Sequence, residues 1–377
     1  MAARAGSPAG ARGPVPPGGG GPGAATPGLA LPLRGGGSAP SAPPSARRRP
    51  AGAGPPAGLA EPAATEARAV QPQARGDAAD ERCVQVLTGH TGFVLSLCAV
   101  GDVLFSGSQD GSIIIWDLNN LQYIGALPGH RGFVKCLAAT MARKMLFSGS
   151  QDKTIKVWSL ETFAATKTLV GHTSEVNALV ALEDSDALVS GSEDRSVRVW
   201  SLAALVPTAC FDEVHAGGVF ALSPLAEGLL SAGRDRCIKW WPAASSSPPL
   251  EACQALQPPH YDSVTGLAVG RRKGHFYSVS RDRSVRRWDT QSLESDLQLT
   301  SAHGDWLTSV ALSHSEDVLF TGSKDTTVRV WDAELRSCDV LQGHSGPVSA
   351  LLVVDRHLFS ASHDRTVRVW RADQFEG

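Results

Sequence analysis

An aspartate followed six residues later by a tryptophan occurs seven times in this chain of 377 residues. The pairs are Asp110 and Trp116, Asp152 and Trp158, Asp194 and Trp200, Asp235 and Trp241, Asp282 and Trp288, Asp325 and Trp331, and Asp364 and Trp370. A histidine stands upstream of each aspartate: His90, His130, His172, His215, His260, His303 and His344. The gap from histidine to aspartate is 20 or 22 residues every time. Side chains alternate faces along a strand, so a hairpin can lengthen by two residues without turning its core outward. An odd difference would flip one strand against the other, and none occurs.

Each unit carries the marks of four short strands. In the first, Val94 to Leu97 and Val103 to Ser108 are apolar runs, and a tight turn passes through Asp110-Gly111. Ser112 to Trp116 and Tyr123 to Leu127 follow, the last leading to the next Gly-His. Short, evenly spaced strands joined by turns rich in Gly and Asp indicate an all-β barrel, sandwich or propeller. A period of about 40 residues with Gly-His and Trp-Asp marks selects a propeller, here with seven blades. Cys83 to Leu87 matches the fourth strand of a unit, and Trp370 ends the last third strand. We therefore expect the N-terminal strand to complete the final blade and remove both open edges.

Four residues before each aspartate is a hydroxyl: Ser106, Ser148, Ser190, Ser231, Ser278, Thr321 and Ser360. The aspartate can accept from the histidine ring, the histidine can bond the hydroxyl, and the hydroxyl can accept from the indole N–H. Buried polar groups persist when every member of the set is satisfied in this way. The set resembles the His-Ser/Thr-Asp-Trp tetrad of WD40 proteins, from residue 82 to residue 372. Ser, His and Asp together invite a hydrolase reading, but a catalytic triad needs one exposed nucleophile beside an oxyanion hole. Seven copies locked to seven tryptophans are scaffold chemistry, so no catalytic residue is expected.

Two narrower resemblances follow from particular stretches. Pro258 to Asp262, Ser280 to Trp288, Ala302 to Trp306 and His363 to Trp370 are similar to the C-terminal propeller of a kinesin subgroup, a tail module linked to microtubules. Leu104 to Ser108 resembles the propeller of a RING-bearing signalling ligase. The chain has no phosphate-binding G-x-x-x-x-G-K-[ST] loop, no heptad run and no Cys/His spacing for a RING. Motor and ligase activities therefore do not transfer; the idea of a docking propeller does.

Composition breaks near residue 80. Residues 1 to 80 are dominated by Gly, Ala, Pro and Ser, and all 9 Trp, 11 Phe and 3 Tyr lie beyond them. Such a segment cannot bury enough surface to offset its ordering entropy, so a disordered tail is expected there and the propeller over residues 81 to 377. The tail carries eight Arg and four acids, and the total charge of −2 leaves the propeller at −6. Neither value resembles a nucleic-acid-binding stripe, so no nucleic-acid partner is expected. No apolar run approaches the length of a membrane span. The seven cysteines are scattered without a C-x-x-C pair, which signals neither a metal site nor a disulfide frame. No cofactor is expected. A cytoplasmic location is expected, with an organelle transit peptide left open.

In WD40 proteins the partner-facing rim commonly uses the third and fifth residues after the histidine and the residue before the aspartate. Those positions give Phe93, Phe133, Glu175, Glu193, Phe220, Arg234, Arg281, Trp306 and Lys324 as candidates for partner binding. Aromatics beside Arg are the composition of interaction hot spots. The stretch between Trp241 and His260 is longer than its counterparts and reads as a solvent loop. The expected function is a non-catalytic scaffold holding a protein or peptide on this rim. The alternatives are a substrate adaptor of a ubiquitin ligase and a microtubule- or kinesin-associated propeller. Against the adaptor, the residue three after each tryptophan is never Arg, as cullin-linked propellers tend to have.

Overall fold

The computed structural model describes residues 68–70, 80–225, 228–243 and 253–375. Within the unit Ala53–Gly377, the described residues form seven antiparallel sheets. In the first blade the innermost strand is Val94–Val100, followed outward by Val103–Ser108, Ile113–Asp117 and Tyr123–Leu127. The same up-and-down order repeats in every blade, and each innermost strand neighbours those of the blades before and after it, so the ring closes.

The core lies between blades. Phe105, Ile113, Ile115 and Leu127 of the first blade, for example, pack on Val134, Leu146 and Trp158 of the second. A middle strand covered on both faces has no solvent side, which is why Leu104 to Ser108 is buried throughout and reads as a continuous run rather than an alternation. Outer strands see water: four of the five residues of Ala165–Leu169 are exposed. The even histidine-to-aspartate gaps have a direct structural cause. The first two strands are joined by two residues where the gap is 20, as at Gly101-Asp102, and by four or five where it is 22, as between Val134–Thr140 and Met145–Ser150 or between Val264–Val269 and His275–Ser280.

Closure follows the expectation. Cys83–Thr88 pairs antiparallel with Thr366–Arg371, with Leu87 opposite Val367, and completes the blade of Val348–Val354 and His357–Ser362. The ordered part begins one residue earlier than expected. Asp80 belongs to the ordered part, because its carboxylate accepts from the Arg82 side chain and from the Gln342 amide. Arg68–Val70 pairs with Val86 to Thr88 as a fifth strand at the edge of this blade. The remainder of the segment expected to be disordered, and residues 244–252 of the long loop, lie outside the described residues.

Two features of the ring bear on the site. The residue after each tetrad aspartate has a positive φ, and in six of seven turns it is not glycine: Lys153, Arg195, Arg236, Arg283, Thr326 and Arg365 have φ from 65° to 76°. This left-handed conformation costs a non-glycine residue roughly 1 kcal/mol, offset here by the hydrogen bonds the turn makes. The second feature is a set of side-chain bonds from one innermost strand to the next blade's backbone. Ser96 reaches the Val134 carbonyl, Cys136 that of Val176, Asn177 that of Val219, Thr265 that of Leu307, Thr308 that of Val348, and Ser349 that of Val94. Six of the seven seams are bridged in this way. At the seam between blades four and five the corresponding residues are Phe220 and Ala221, which have no side-chain donor.

Candidate functional site: the rim above the tetrads

Every tetrad forms. The histidine Nδ1 lies 2.7–3.2 Å from the aspartate carboxylate in all seven blades. The histidine Nε2 lies 2.7–2.8 Å from the hydroxyl. The indole N–H donates to the same hydroxyl oxygen at 2.7–2.9 Å. A neutral imidazole that donates from Nδ1 and accepts at Nε2 satisfies all three links. The seven hydroxyl residues are 0 % exposed. An oxygen that is enclosed, donates to histidine and accepts from tryptophan cannot approach a substrate carbonyl, which disposes of the triad reading.

The aspartates do more than close the tetrads. Asp194 also accepts from the backbone amides of Thr173 at 2.9 Å and Ser196 at 3.0 Å, fixing the loop after the histidine and the turn after itself. Burial opposes ionisation of Asp152, yet donation from Thr154, His130 and the Arg131 amide brings its carboxyl down to about 2. In the same way Asp110, Asp194, Asp235, Asp282, Asp325 and Asp364 are held below the usual carboxylate range against their burial. Burial pushes the His130 and His260 imidazoles down, outweighing the aspartate beside each.

The loops fixed by these aspartates carry the rim. Phe93 is 39 % exposed and stacks flat on His363 of the last blade, with ring centroids 4.4 Å apart. Phe133 and Phe220 are half-buried rather than open. Glu175 and Glu193, expected to contact a partner, are neutralised across blades: Glu175 binds Lys135 and Gln151, and Glu193 binds Arg234 at 2.7 Å and Asn177 at 3.2 Å. Arg234 is therefore not a free cation. The Arg281 guanidinium lies 5.4 Å from the centre of the Phe220 ring and 4.9 Å from that of Trp306. The Lys324 ammonium lies 4.4 Å from the Trp306 ring centre and 3.6 Å from Asp305.

The structure thus joins Phe220, Arg281, Trp306 and Lys324 into one run over blades four to six. Phe93 and Phe133 lie on other blades. Position counting missed Tyr261, the most open large apolar residue at 78 % exposure, because it follows its histidine directly. Its place in a Gly- or Thr-type loop position was the available signal. It also missed a cavity of about 660 Å³ at the opposite end of the blades, lined among others by Glu183, Asp184, Pro224, Val269 and Arg271. Among the described residues no helix is long and apolar enough to cross a membrane.

Comparison with known proteins places this geometry. The family model for the WD domain, G-beta repeat, matches residues 81–117, 121–159, 164–201, 295–332 and 335–371. The solved structure of U3-55K superposes with a TM-score of 0.69 at 24 % identity, covering 78 % of this chain and 100 % of that one. The RRP9 WD40 repeats give 0.68 at 24 % identity, over 78 % and 99 %. The human lysosomal-trafficking regulator is 45 % identical over 56 residues, 14 % of this chain and 2 % of that protein, so the likeness spans a very small part of that relative. The likeness to kinesin-tail and RING-ligase propellers rests on the sequence stretches alone. Blades four and five fall between the matched ranges, yet both carry complete tetrads. With family-model matches over half its length, the chain belongs to the WD40 repeat family.

Proposed function

We propose that this propeller is a protein-interaction scaffold that holds a protein or peptide on the rim above its tetrads. One observation carries the reading. Among the described residues the exposed large aromatics are Phe93, Tyr261 and Trp306, and all three follow a tetrad histidine by one or three residues, so they open at the same end. Exposed aromatics that share one face and are interleaved with Arg and Lys are the composition of protein interfaces. Rigid tetrads below them remove the cost of ordering the loops at binding. The ligase-adaptor and microtubule readings have only the sequence resemblance behind them.

The test is affinity purification of the full chain followed by mass spectrometry, with two variants alongside. The triple variant Phe93→Ala, Tyr261→Ala, Trp306→Ala is expected to lose the partners that the unaltered chain captures, while keeping its melting temperature within a few degrees. Met141→Ala removes an exposed apolar side chain from the opposite end (57 % exposed) and is expected to retain them. Partners that stay with the triple variant and leave with Met141→Ala would move the binding face to the other end of the blades.

A further inference from the structure

We propose that Arg281 is the anchor of a carboxylate-binding site on this rim, and that the partner segment seated there is an acidic peptide. The proposal rests on the scaffold reading and adds the chemistry of the partner. Arg281 projects from the fifth blade and is flanked by Phe220 of the fourth and Trp306 of the sixth. Aromatic rings take the faces of a guanidinium and leave its edge of N–H donors pointing away. No carboxylate or carbonyl among the described residues accepts a hydrogen bond from that edge; Arg281 makes only a backbone bond, to the Ser263 carbonyl at 2.9 Å. The side chain is half-buried, so water reaches it incompletely. A planar fork held in place with its donors unused fits a carboxylate, which can take two parallel N–H···O bonds.

The seam pattern points the same way independently. At six junctions a hydroxyl, amide or thiol on the innermost strand ties one blade to the next, four of them from the position that Phe220 holds and two from that of Ala221, and at the seventh neither residue has a donor. The seam that lacks the polar tie is the one that supplies an aromatic wall to Arg281. Charge agrees as well. Arg236 and Arg283 are exposed in the adjacent turns with no ion pair among the described residues, and Lys324 faces Asp305 only at 3.6 Å. The tetrad carboxylates Asp235, Asp282 and Asp325 are already occupied by histidine and backbone donors. Arg236, Arg281 and Arg283 on blades four and five therefore have no carboxylate partner among the described residues, and an acidic segment complements them.

The experiment pans a phage-displayed library of random linear peptides on the full chain. Recovered peptides are synthesised with a fluorescent label and titrated by fluorescence polarisation. The expected result is enrichment of Asp and Glu, and binding that weakens at least tenfold in Arg281→Gln. Arg281→Lys keeps the charge but not the planar fork, and is expected to lose several-fold. Replacing the peptide's acid by its amide should weaken binding to the unaltered chain and change little in Arg281→Gln. On the unaltered chain this arm alters only the peptide, so no change in the fold enters that half of the comparison.

Peptides without acidic enrichment, or equal affinity for Arg281→Gln, overturn the proposal. Peptides that bind through Trp306 but ignore both Arg281 and their own acids overturn the carboxylate site and leave the scaffold reading standing. Peptides indifferent to every rim substitution overturn both. A phosphoserine form that binds where the glutamate form does not overturns the choice of carboxylate.

Discussion

Replacing Asp194 by Ala tests whether the tetrads are the stabilising frame of the ring. The Asp194 side chain is 7 % exposed. Its carboxylate accepts from His172 Nδ1 at 2.9 Å, the Thr173 amide at 2.9 Å, the Ser196 amide at 3.0 Å and the Ser196 hydroxyl at 2.6 Å. Thr173 is exposed, so water can replace that bond. Ser196 is 1 % exposed and His172 6 % exposed, so their donors are left facing a void. Stranding a buried donor costs about 1–3 kcal/mol, and His172 Nδ1, the Ser196 amide and the Ser196 hydroxyl all lose their acceptor. Some of this is recovered because the Ser196 hydroxyl lies 3.2 Å from His172 Nδ1 and can accept in place of the carboxylate. The net cost is about 2–4 kcal/mol, in the range of broken buried networks.

For a propeller of this size that cost corresponds to a fall of about 4–8 °C in melting temperature, read by circular dichroism, with a matching fall in the urea midpoint. Ser190→Ala leaves the His172 ring and the Trp200 indole each short of one partner but keeps the Asp194 bonds to loop and turn. It strands one buried donor, the Trp200 N–H, against three for Asp194→Ala, and is expected to cost about 1–2 kcal/mol. If Asp194→Ala melted within a degree of the unaltered chain, or if Ser190→Ala cost more than Asp194→Ala, the claim that the aspartate ties loop, turn and ring together would be wrong.

Deleting residues 1–78 removes no more than the short Arg68–Val70 strand from the described fold and should shift the melting temperature by a few degrees at most. Deleting 1–88 also removes Cys83 and Leu87, 5 % and 1 % exposed, and opens the ring, so differential scanning fluorimetry should show a far larger loss. Acid should destabilise the fold in two stages. His130 and His260 have lowered folded pKa values, so their contribution is complete above the unfolded value of about 6.5 and is lost as pH falls below it; the tetrad aspartates, also lowered, contribute fully above about 4 and lose that contribution below it. Urea midpoints measured from pH 8 to pH 3 should therefore only fall, and a maximum near pH 5 would refute the assignment. A double-mutant cycle on Phe93→Ala and His363→Ala should return a coupling of about 0.5–1 kcal/mol for the stacked pair that joins the last blade to the first. Additive losses would show that the stack contributes nothing.

The fold was legible because its signal repeats. One Asp-to-Trp spacing is a coincidence, but seven in phase with seven histidines fix blade number, strand order and which face each strand turns inward. Even the choice between the two hairpin lengths is written in the gap of 20 or 22 residues. The rim was legible only in part, for a physical reason. Its position is set by the tetrad, whereas its chemistry is set by pairings between blades that lie about 40 residues apart. Glu175 and Glu193 look like an acidic patch until Lys135 and Arg234 arrive from neighbouring blades. Phe93 looks free until His363 closes on it across the ring. No local pattern encodes either contact, and nothing near Phe220 foretells that it would stand where its counterparts tie two blades together.

Stability and recognition in this ring use the same atoms in different ways. Asp282 Oδ2 holds the Tyr261 amide at 2.9 Å, and Asp325 Oδ2 holds the Gly304 amide at 3.0 Å, two residues before Trp306. Arg281 and Lys324 each directly precede one of these aspartates in sequence. The backbone that presents a rim side chain is therefore pinned by the tetrad of its own blade, while the side chain itself meets residues of other blades. Substituting a rim residue changes the surface without loosening the pin. Substituting a tetrad aspartate loosens the pin beneath an unchanged surface. That separation lets one repeat, built seven times on the same buried network, carry a guanidinium flanked by two aromatic rings across blades four to six, closed ion pairs between blades two and four, and an aromatic–imidazole stack at the closure.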